Sequence, residues 1–415
     1  MLLKRWLLIR RHPEFAKLWA GDLISAFGSG VTTVALPLTA VVVLHAHAFQ
    51  MGLLTALGAL PPLLFGLVAG VWVDRFPRRT ILIASDTGRA LLLGCVPAFA
   101  VLGWLRMELL YPIQFLVGLL SFLFLVTSTS LVPTLIDREN LMQANSATSL
   151  NSSLGATVGP ALAGALVQAL TAPVVIAFDA ASFVLSAFCT ILIRTPPAGP
   201  RPSGRRVRFG PEILEGLRFL FSGPYLSPIA VSAAVGSMGG AMRGALVVLF
   251  LVRGLHLSAT LVGLAATCIG LGSVMGSIMA PELATRLGTG RTYLLGQLLA
   301  ATAGLVLVVA QGPMVVVVAL VAVAQAFGGA APSLYRTSQR TIRQALVPEH
   351  ALGRVNSSWQ FVVIGVQPLG ALLGGFVAAR SGLRAAIVIS SVVMLLAWIW
   401  AARSPLRQLR EVPAA

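Results

Sequence analysis

The chain has 415 residues, of which 57% are hydrophobic and only 10% are charged. Soluble domains carry about 25% charged residues, so this composition excludes a soluble globular protein and predicts an all-α membrane protein whose surface faces lipid. The net charge of +17 fits either nucleic-acid binding or the basic bias of cytoplasmic loops in membrane proteins, and the positions of the basic residues decide between these two interpretations.

A helix needs about 20 mainly apolar residues to cross a bilayer, and runs of this length recur twelve times along the chain. An even number of spans puts both termini on the same side of the membrane. The predicted spans are 15–44, 51–73, 80–104, 109–133, 142–168, 173–194, 225–252, 259–284, 292–311, 313–335, 355–379 and 383–402.

Most basic residues lie in the segments that twelve spans place on the same side as the termini. Those segments are 1–17, 74–79, 134–141, 195–224, 285–291, 336–354 and 403–415. Because cytoplasmic loops carry an excess of Lys and Arg, the pattern predicts a multi-pass protein of the cell inner membrane with both termini in the cytoplasm. It also explains the net charge without a nucleic-acid partner.

The longest polar stretch, 195–224, is rich in Pro and Gly in its first part and mixes apolar with charged residues in its second part. It predicts a cytoplasmic linker with a possible helix along the membrane surface. The linker divides the chain into an N-terminal six-helix bundle over 1–194 and a C-terminal six-helix bundle over 225–415.

The two predicted bundles are related by an internal repeat. A shift of 211 residues aligns matching residues in five regions without a gap, and among the pairs are Gly28 with Gly239, Arg75 with Arg286, Gln114 with Gln325, Asn145 with Asn356, and Gly159 with Gly370. Six spans repeated in the same orientation are typical of a two-bundle transporter with its site between the bundles.

The segment between spans two and three reads Gly70-Val-Trp-Val-Asp74-Arg75-Phe-Pro-Arg78-Arg79. It resembles the loop signature of the major facilitator superfamily, although a proline stands where that family usually has a glycine. The resemblance implies a cytoplasmic gate latch, in which the glycine allows close helix packing and the charged side chains bind helix ends or other charges. The alternative interpretation is an ordinary basic stop between two helices.

Span five contains Gly155-Ala-Thr-Val-Gly159-Pro160-Ala-Leu-Ala163-Gly164. This segment resembles the antiporter motif of the same superfamily, with an alanine in place of the first residue of its last small pair. Small residues four apart build a flat face for close packing, and proline allows a kink. The resemblance implies an exporter, and the alternative is generic packing of a Gly-rich helix.

Short strings such as Phe178-Asp179-Ala-Ala-Ser-Phe183 and Gly353-Arg354-Val-Asn356-Ser357 resemble the macrolide and siderophore exporter branch, whose members include multidrug exporters. The resemblance implies the major facilitator fold and a monomer that exports drugs or other bulky amphipathic molecules by proton antiport and rocker-switch alternating access. The chain departs from many drug exporters of the superfamily in span four. Those exporters carry an arginine there, whereas residues 109–133 contain no basic residue. Either the proton path differs or the coupling ion is not a proton.

In the family, spans one, four, seven and ten line the cavity, and charges at lipid depth are functional candidates. The resemblance therefore selects candidate proton or substrate sites at Asp22, Ser25, Gln114, Arg243 and Gln325. Asp22 could carry a proton or tether a neighbouring helix. Arg243 could bind an anionic group of a substrate or a carboxylate on another helix.

The sequence also bears on classes of protein other than exporters. The sequence has no Gly-x-x-x-x-Gly-Lys-Ser/Thr loop, no His-Glu-x-x-His pair and no Gly-x-Ser-x-Gly elbow, which disfavours an ATP-driven pump and an enzyme. His45 and His47 are two apart, a weak metal signal that fits a loop better, so no cofactor or metal is expected. The main alternative is a lipid-handling carrier for lysophospholipids without proton coupling, followed by a non-transporting scaffold.

Overall fold

The computed structural model describes residues 12–137, 140–194 and 209–409, apart from the side chains of 67–71, 74–75, 209–213 and 349–350. Within these residues the chain forms fifteen α-helices and no β-strand. Twelve spans are long and apolar enough to cross a membrane. The prediction of an all-α protein with twelve spans is therefore confirmed.

Contacts divide the chain into two compact units, formed by the described parts of residues 1–45 with 60–205 and of residues 46–59 with 206–415. The first unit contains α1 (Pro13–Leu38), α3 (Pro61–Arg75), α4 (Arg78–Val101), α5 (Met107–Leu135), α6 (Leu141–Ala169) and α7 (Ala172–Ile191). The second unit contains α2 (Ala48–Ala59), α8 (Phe209–Phe221), α9 (Leu226–Leu249), α10 (Ala259–Leu287), α11 (Thr289–Val308), α12 (Met314–Leu346), α13 (Glu349–Gly365), α14 (Gln367–Ser381) and α15 (Leu383–Ala402).

The helix α2 packs on α14 through small residues. A Cβ atom built on Gly52 would lie 2.6 Å from the carbonyl oxygen of Ala371 and 2.9 Å from the Cα atom of Gly375. Such close backbone approach needs glycine on both helices. These contacts place α2 with the second unit, whereas the sequence assigns residues 46–59 to the first bundle, and the bundle boundaries at 194 and 225 stay a prediction.

The internal repeat is visible in the backbone. A five-residue π-helical turn, Thr39–Val43, ends α1, and an equivalent turn, Phe250–Gly254, ends α9. Two residues beyond each turn lies a histidine in the left-handed region, His45 with φ 51° and His256 with φ 55°. Left-handed backbone is uncommon outside glycine, so its recurrence at the predicted shift of 211 residues supports the repeat independently of side-chain identity.

Three glycines bring α1 and α6 into close contact within the first unit. A Cβ on Gly159 would lie 2.6 Å from the Cα atom of Gly30, and a Cβ on Gly155 would lie 2.6 Å from the carbonyl carbon of Ala26. The motif in span five therefore forms a packing face on α1. The helix α6 runs through Pro160, and Pro160 and Gly164 are also buried.

Span ten is longer than the sequence indicated. The helix α12 continues to Leu346, whereas its predicted end at 335 marks only the end of the apolar run. Beyond that point Ser338, Gln339 and Ile342 are buried, because this part of the helix is amphipathic and packs on its neighbours. Residues 336–346 are therefore helical, although the sequence assigned them to a cytoplasmic connecting segment.

Span eleven is broken into α13 and α14, and Pro368 lies at the start of α14, where its missing N–H does not interrupt a hydrogen bond. The helix α8, in the predicted linker, packs on α13. Leu220 is fully buried in one apolar cluster with Val355 and Trp359, and Glu215 forms an ion pair with Arg354. A helix in the linker was predicted, and its position at the membrane surface stays a prediction.

We expect Gly159→Val to lower the melting temperature of the purified protein, because overpacking a close helix contact costs about 1–3 kcal/mol. Thermal unfolding in detergent measures the effect. Gly240→Ala is the matched control, since a Cβ on Gly240 has no atom within 4 Å. Equal melting temperatures for Gly159→Val and the wild type would show that the α1–α6 contact is not tightly packed.

Candidate functional site

The larger cavity described in the second unit has a volume of about 580 Å³. Three arginines of α12, Arg336, Arg340 and Arg343, line it from positions that share one face of the helix. Amide and aromatic side chains contribute much of the remaining wall: Gln297, Tyr335, Gln339, Gln344, Asn356, Trp359, Gln360 and Gln367. The wall therefore offers many hydrogen-bond donors and an excess of positive charge.

Several polar atoms in this wall lack a hydrogen-bond partner within the described part of the chain. Nε and Nη1 of Arg343 and Oε1 of Gln339 are buried and have no hydrogen-bond partner among the described residues. The guanidinium of Arg343 stacks on the ring of Trp359, with its carbon 4.6 Å from the ring centroid. Buried polar groups are normally paired, so these atoms are available to a molecule that enters the cavity.

A smaller cavity of about 300 Å³ adjoins the larger one. Both cavities are lined by Tyr335, Arg336 and Gln367, among others. Arg243 of α9 lines only the smaller cavity of the two, and its Nη1 donates a hydrogen bond of 2.6 Å to the carbonyl oxygen of Ala300. The second unit therefore presents a basic surface that continues from one cavity into the other.

The first unit has the opposite character, with buried acids. Asp22 of α1 accepts a hydrogen bond of 2.8 Å from Nδ2 of Asn151, which also donates to the carbonyl oxygen of Trp19 at 3.0 Å. Ser25 is buried and donates its hydroxyl hydrogen to the backbone oxygen of Asp22 at 3.2 Å. Asp22 is thus oriented by an amide on α6 rather than by a cation in direct contact.

Arg89 of α4 lies at the centre of these acids. It forms an ion pair with the fully buried Asp86 and lies between the rings of Phe124 and Phe183, 4.6 and 4.0 Å from their centroids. Its charge also interacts with Asp22 and with the buried Asp179. Arg89 therefore pairs directly with one carboxyl group and lies within electrostatic range of two more, and a site with more acids than cations can take up a proton.

The basic pair of the loop motif contacts helix carbonyls within the first unit. Nη1 of Arg78 donates to the carbonyl oxygen of Ser130 at 2.5 Å. Arg79 donates to the carbonyl oxygens of Thr190 and Ile191, at the C-terminal end of α7, where the helix dipole is negative. The backbone of Gly70, Asp74 and Arg75 belongs to the end of α3, and their side-chain surroundings lie outside the described residues.

Among the predicted candidate sites, only Arg243 lines either of these two cavities. Asp22 and Ser25 lie together on α1, while Gln114 is half-buried and Gln325 is 7% exposed. The cavity arginines Arg340 and Arg343 were not selected from sequence. Their signal was present, since arginines recur at positions 336, 340 and 343, which are four and three residues apart and share one face of a helix.

His45 and His47 are the residues that the sequence considered, and set aside, as metal ligands. Within the part of the chain that the structure describes, no group of three His, Cys, Asp or Glu side chains could hold a metal ion. Both histidines lie in the connection between the π-helical turn after α1 and the start of α2.

The chain is similar in sequence to known exporters over nearly its whole length. It is 28% identical to the enterobactin exporter EntS of Citrobacter koseri, over 98% of this chain and 95% of the relative. The same identity and coverage relate it to the enterobactin exporter EntS of an Escherichia coli O127:H6 strain.

Solved structures of transporters share its fold. A bacterial homologue of the iron transporter ferroportin, in an inward-facing state, matches with a TM-score of 0.73 at 17% identity, over 94% of this chain and 99% of that chain. The nucleoside transporter NupG matches with a TM-score of 0.75 at 11% identity, with the same coverage. The family described as transmembrane secretion effector matches residues 8–414, and the chain belongs to this family of major facilitator transporters, which are carriers and not enzymes.

Proposed function

We propose that this protein exports an amphipathic small molecule of the siderophore class, bearing at least one acidic group, from the cytoplasm across the inner membrane by proton antiport. The observation that carries the proposal is the large cavity of the second unit, with three arginines in a wall rich in amides and aromatic rings. The relatives named as enterobactin exporters support the same substrate class.

The chemistry of the cavity wall favours an anionic solute. Arginine forms planar, paired hydrogen bonds with carboxylate and similar oxygen groups, and Tyr335, which is partly exposed, offers a flat surface to a ring. A lysophospholipid would need a long apolar groove for its acyl chain, which this wall does not resemble. The lipid carrier is therefore the weaker alternative, and export of amphipathic drugs stays a prediction that the same assay tests.

Proton coupling is supported by the charge ratio around Arg89. Asp86 and Asp179 are almost fully buried, whereas Asp22 is partly exposed. Because charges at lipid depth are costly, protonation of one acid reduces the excess negative charge of the cluster. Asp22 is the member with exposed surface, so we propose that it takes up and releases the transported proton. This route needs no arginine in span four.

The transport experiment uses everted inner-membrane vesicles, whose cytoplasmic face points outward. We expect them to accumulate iron-free enterobactin when their lumen is acidic, and to lose most of this uptake when the pH gradient is collapsed. A protease added outside should remove a C-terminal tag, as expected for a cytoplasmic terminus. Uptake of a lysophospholipid or of erythromycin, without uptake of enterobactin, would replace the siderophore class by one of the alternatives.

A pair of arginine variants tests the role of the large cavity in the same vesicles. A hydrogen bond to a charged group contributes about 1.5–3 kcal/mol, so Arg340→Gln should lower the initial rate by at least roughly tenfold at subsaturating enterobactin. Arg384→Gln is the matched control, because Arg384 is exposed on α15 and does not line either cavity. Equal losses in both variants would point to a general effect of surface charge.

Asp22→Asn should abolish the dependence of transport on the pH gradient while leaving facilitated movement down a concentration gradient, because asparagine keeps the size of the side chain and cannot carry a proton. Vesicle uptake measured at matched and unmatched internal pH checks this expectation. Glu14→Gln on the same helix is the control, since Glu14 pairs with Lys17 at 2.7 Å near the start of α1. An unchanged pH response in Asp22→Asn would remove Asp22 as the proton site.

We also propose that the loop motif acts as a gate latch. Arg79→Gln removes the charge that binds the end of α7, and Asp74→Asn removes the acid of the motif, so each should lower transport by roughly fivefold to tenfold if an interaction of about 1–1.4 kcal/mol is lost from the latched state. Amounts in the membrane should stay normal on an immunoblot. Arg106→Gln, in the exposed connection before α5, is the control, and wild-type rates in both motif variants would refute the latch.

A further inference from the structure

We infer that the smaller cavity of the second unit is a separate subsite that binds the acidic group of the transported molecule, with Arg243 as its charge partner. This inference rests on the proposed function, and it deepens that function by naming the chemical group on which selection acts. The group is an ionised carboxyl or phenol that projects from a larger body, while the body itself occupies the adjoining larger cavity.

Arg243 has no acidic side chain on any helix that forms its cavity. The lining comes from α2, α9, α11, α12, α14 and α15, and none of these helices contains Asp or Glu. The hydrogen bond to Ala300 satisfies one of the five N–H donors of the guanidinium and supplies no negative charge. A cation inside a membrane-spanning bundle is costly without an anion, so the arrangement favours an anion that comes from outside the protein.

The space beside Arg243 is kept open by glycine. A Cβ atom on Gly240 or on Gly244 would have no atom within 4 Å, and a Cβ on Gly328 would meet only Nη2 of Arg243, at 4.0 Å. Glycine inside a helix costs about 0.5–1 kcal/mol relative to alanine. Packing against other parts of the protein therefore does not require glycine at Gly240 or Gly244, and the absence of side chains there leaves room in the cavity that Arg243 also lines.

The sizes of the two cavities fit a ligand whose acidic group and larger body bind in separate cavities. The smaller cavity holds about 300 Å³ and the larger about 580 Å³, and Tyr335, Arg336 and Gln367 form part of both walls. A small acidic group can occupy the smaller cavity while rings and amides contact the wall of the larger one. A buried charged site rejects an analogue that lacks the matching group far more strongly than an apolar site does, so Arg243 would set selectivity for acids.

The experiment measures binding to the purified full-length protein in detergent. The probes are 1-naphthoate and 1-naphthamide, which share size and ring system and differ in charge, and binding is followed by calorimetry. We expect the wild type to bind naphthoate at least roughly tenfold more tightly than naphthamide, as for loss of one charged hydrogen bond. Arg243→Gln should abolish this difference and change naphthamide binding by less than about twofold, while Arg243→Lys should retain part of the preference.

Two further variants locate the subsite. Gly240→Leu should weaken both probes, because it fills the smaller cavity, which Gly240 lines, and leaves the arginine in place. Arg340→Gln should keep the preference for naphthoate, since Arg340 lines only the larger cavity of the two. If Arg340→Gln abolishes the preference and Arg243→Gln does not, the acid binds in the larger cavity and the inference is overturned.

A structural role for Arg243 predicts a different result. Arg243→Gln would then lower the melting temperature and weaken the binding of both probes equally, which also overturns the inference. If Arg243→Gln does not fold, Gly240→Leu tests the subsite independently. The proposed function is tested separately. If the protein prefers naphthoate through Arg243 but does not take up enterobactin, the siderophore proposal is refuted and the subsite is retained. If Arg243→Gln takes up enterobactin at the wild-type rate, the subsite is refuted.

Discussion

The placement of charge at lipid depth is the constraint on which this structure depends. An isolated charge inside a bilayer is costly, so each one needs a partner or a function. The two units meet this constraint differently. Buried acids gather around Arg89 in the first unit, whereas the helices around Arg243 contain no acid at all. One unit thus concentrates acids around a single cation, whereas the other holds a cation on cavity helices that carry no acid.

Close packing supports this arrangement, because charged and polar groups can be held in place only by rigid helices. Gly155 and Gly159 lock α6 onto α1, and this contact brings Asn151 to the carboxylate of Asp22. The motif in span five, which the sequence associates with export, therefore positions the candidate proton site. The glycine contacts that pack α6 on α1 and the candidate proton site therefore belong to the same helix pair.

Hydropathy was sufficient to predict the spans, because twenty apolar residues have few other stable positions. The end of α12 was not predictable in this way. Arg340 and Arg343 follow the apolar run, and a scan of hydropathy assigns such residues to a loop, although their spacing along the helix points into a cavity. Pairing of α2 with α14 was also missed, since contact between distant glycines leaves no local signal. Arg243 was found because a lone charge in an apolar run is visible in sequence.

The shared left-handed histidines, His45 and His256, show which property of the two halves the repeat preserves. Both halves have the same unusual backbone after the same π-helical turn, whereas the two units differ in their buried charges. Main-chain geometry is therefore the constant feature of the repeat, and charge is the variable one. A change of charge in one half needs no rebuilding of the scaffold that both halves share.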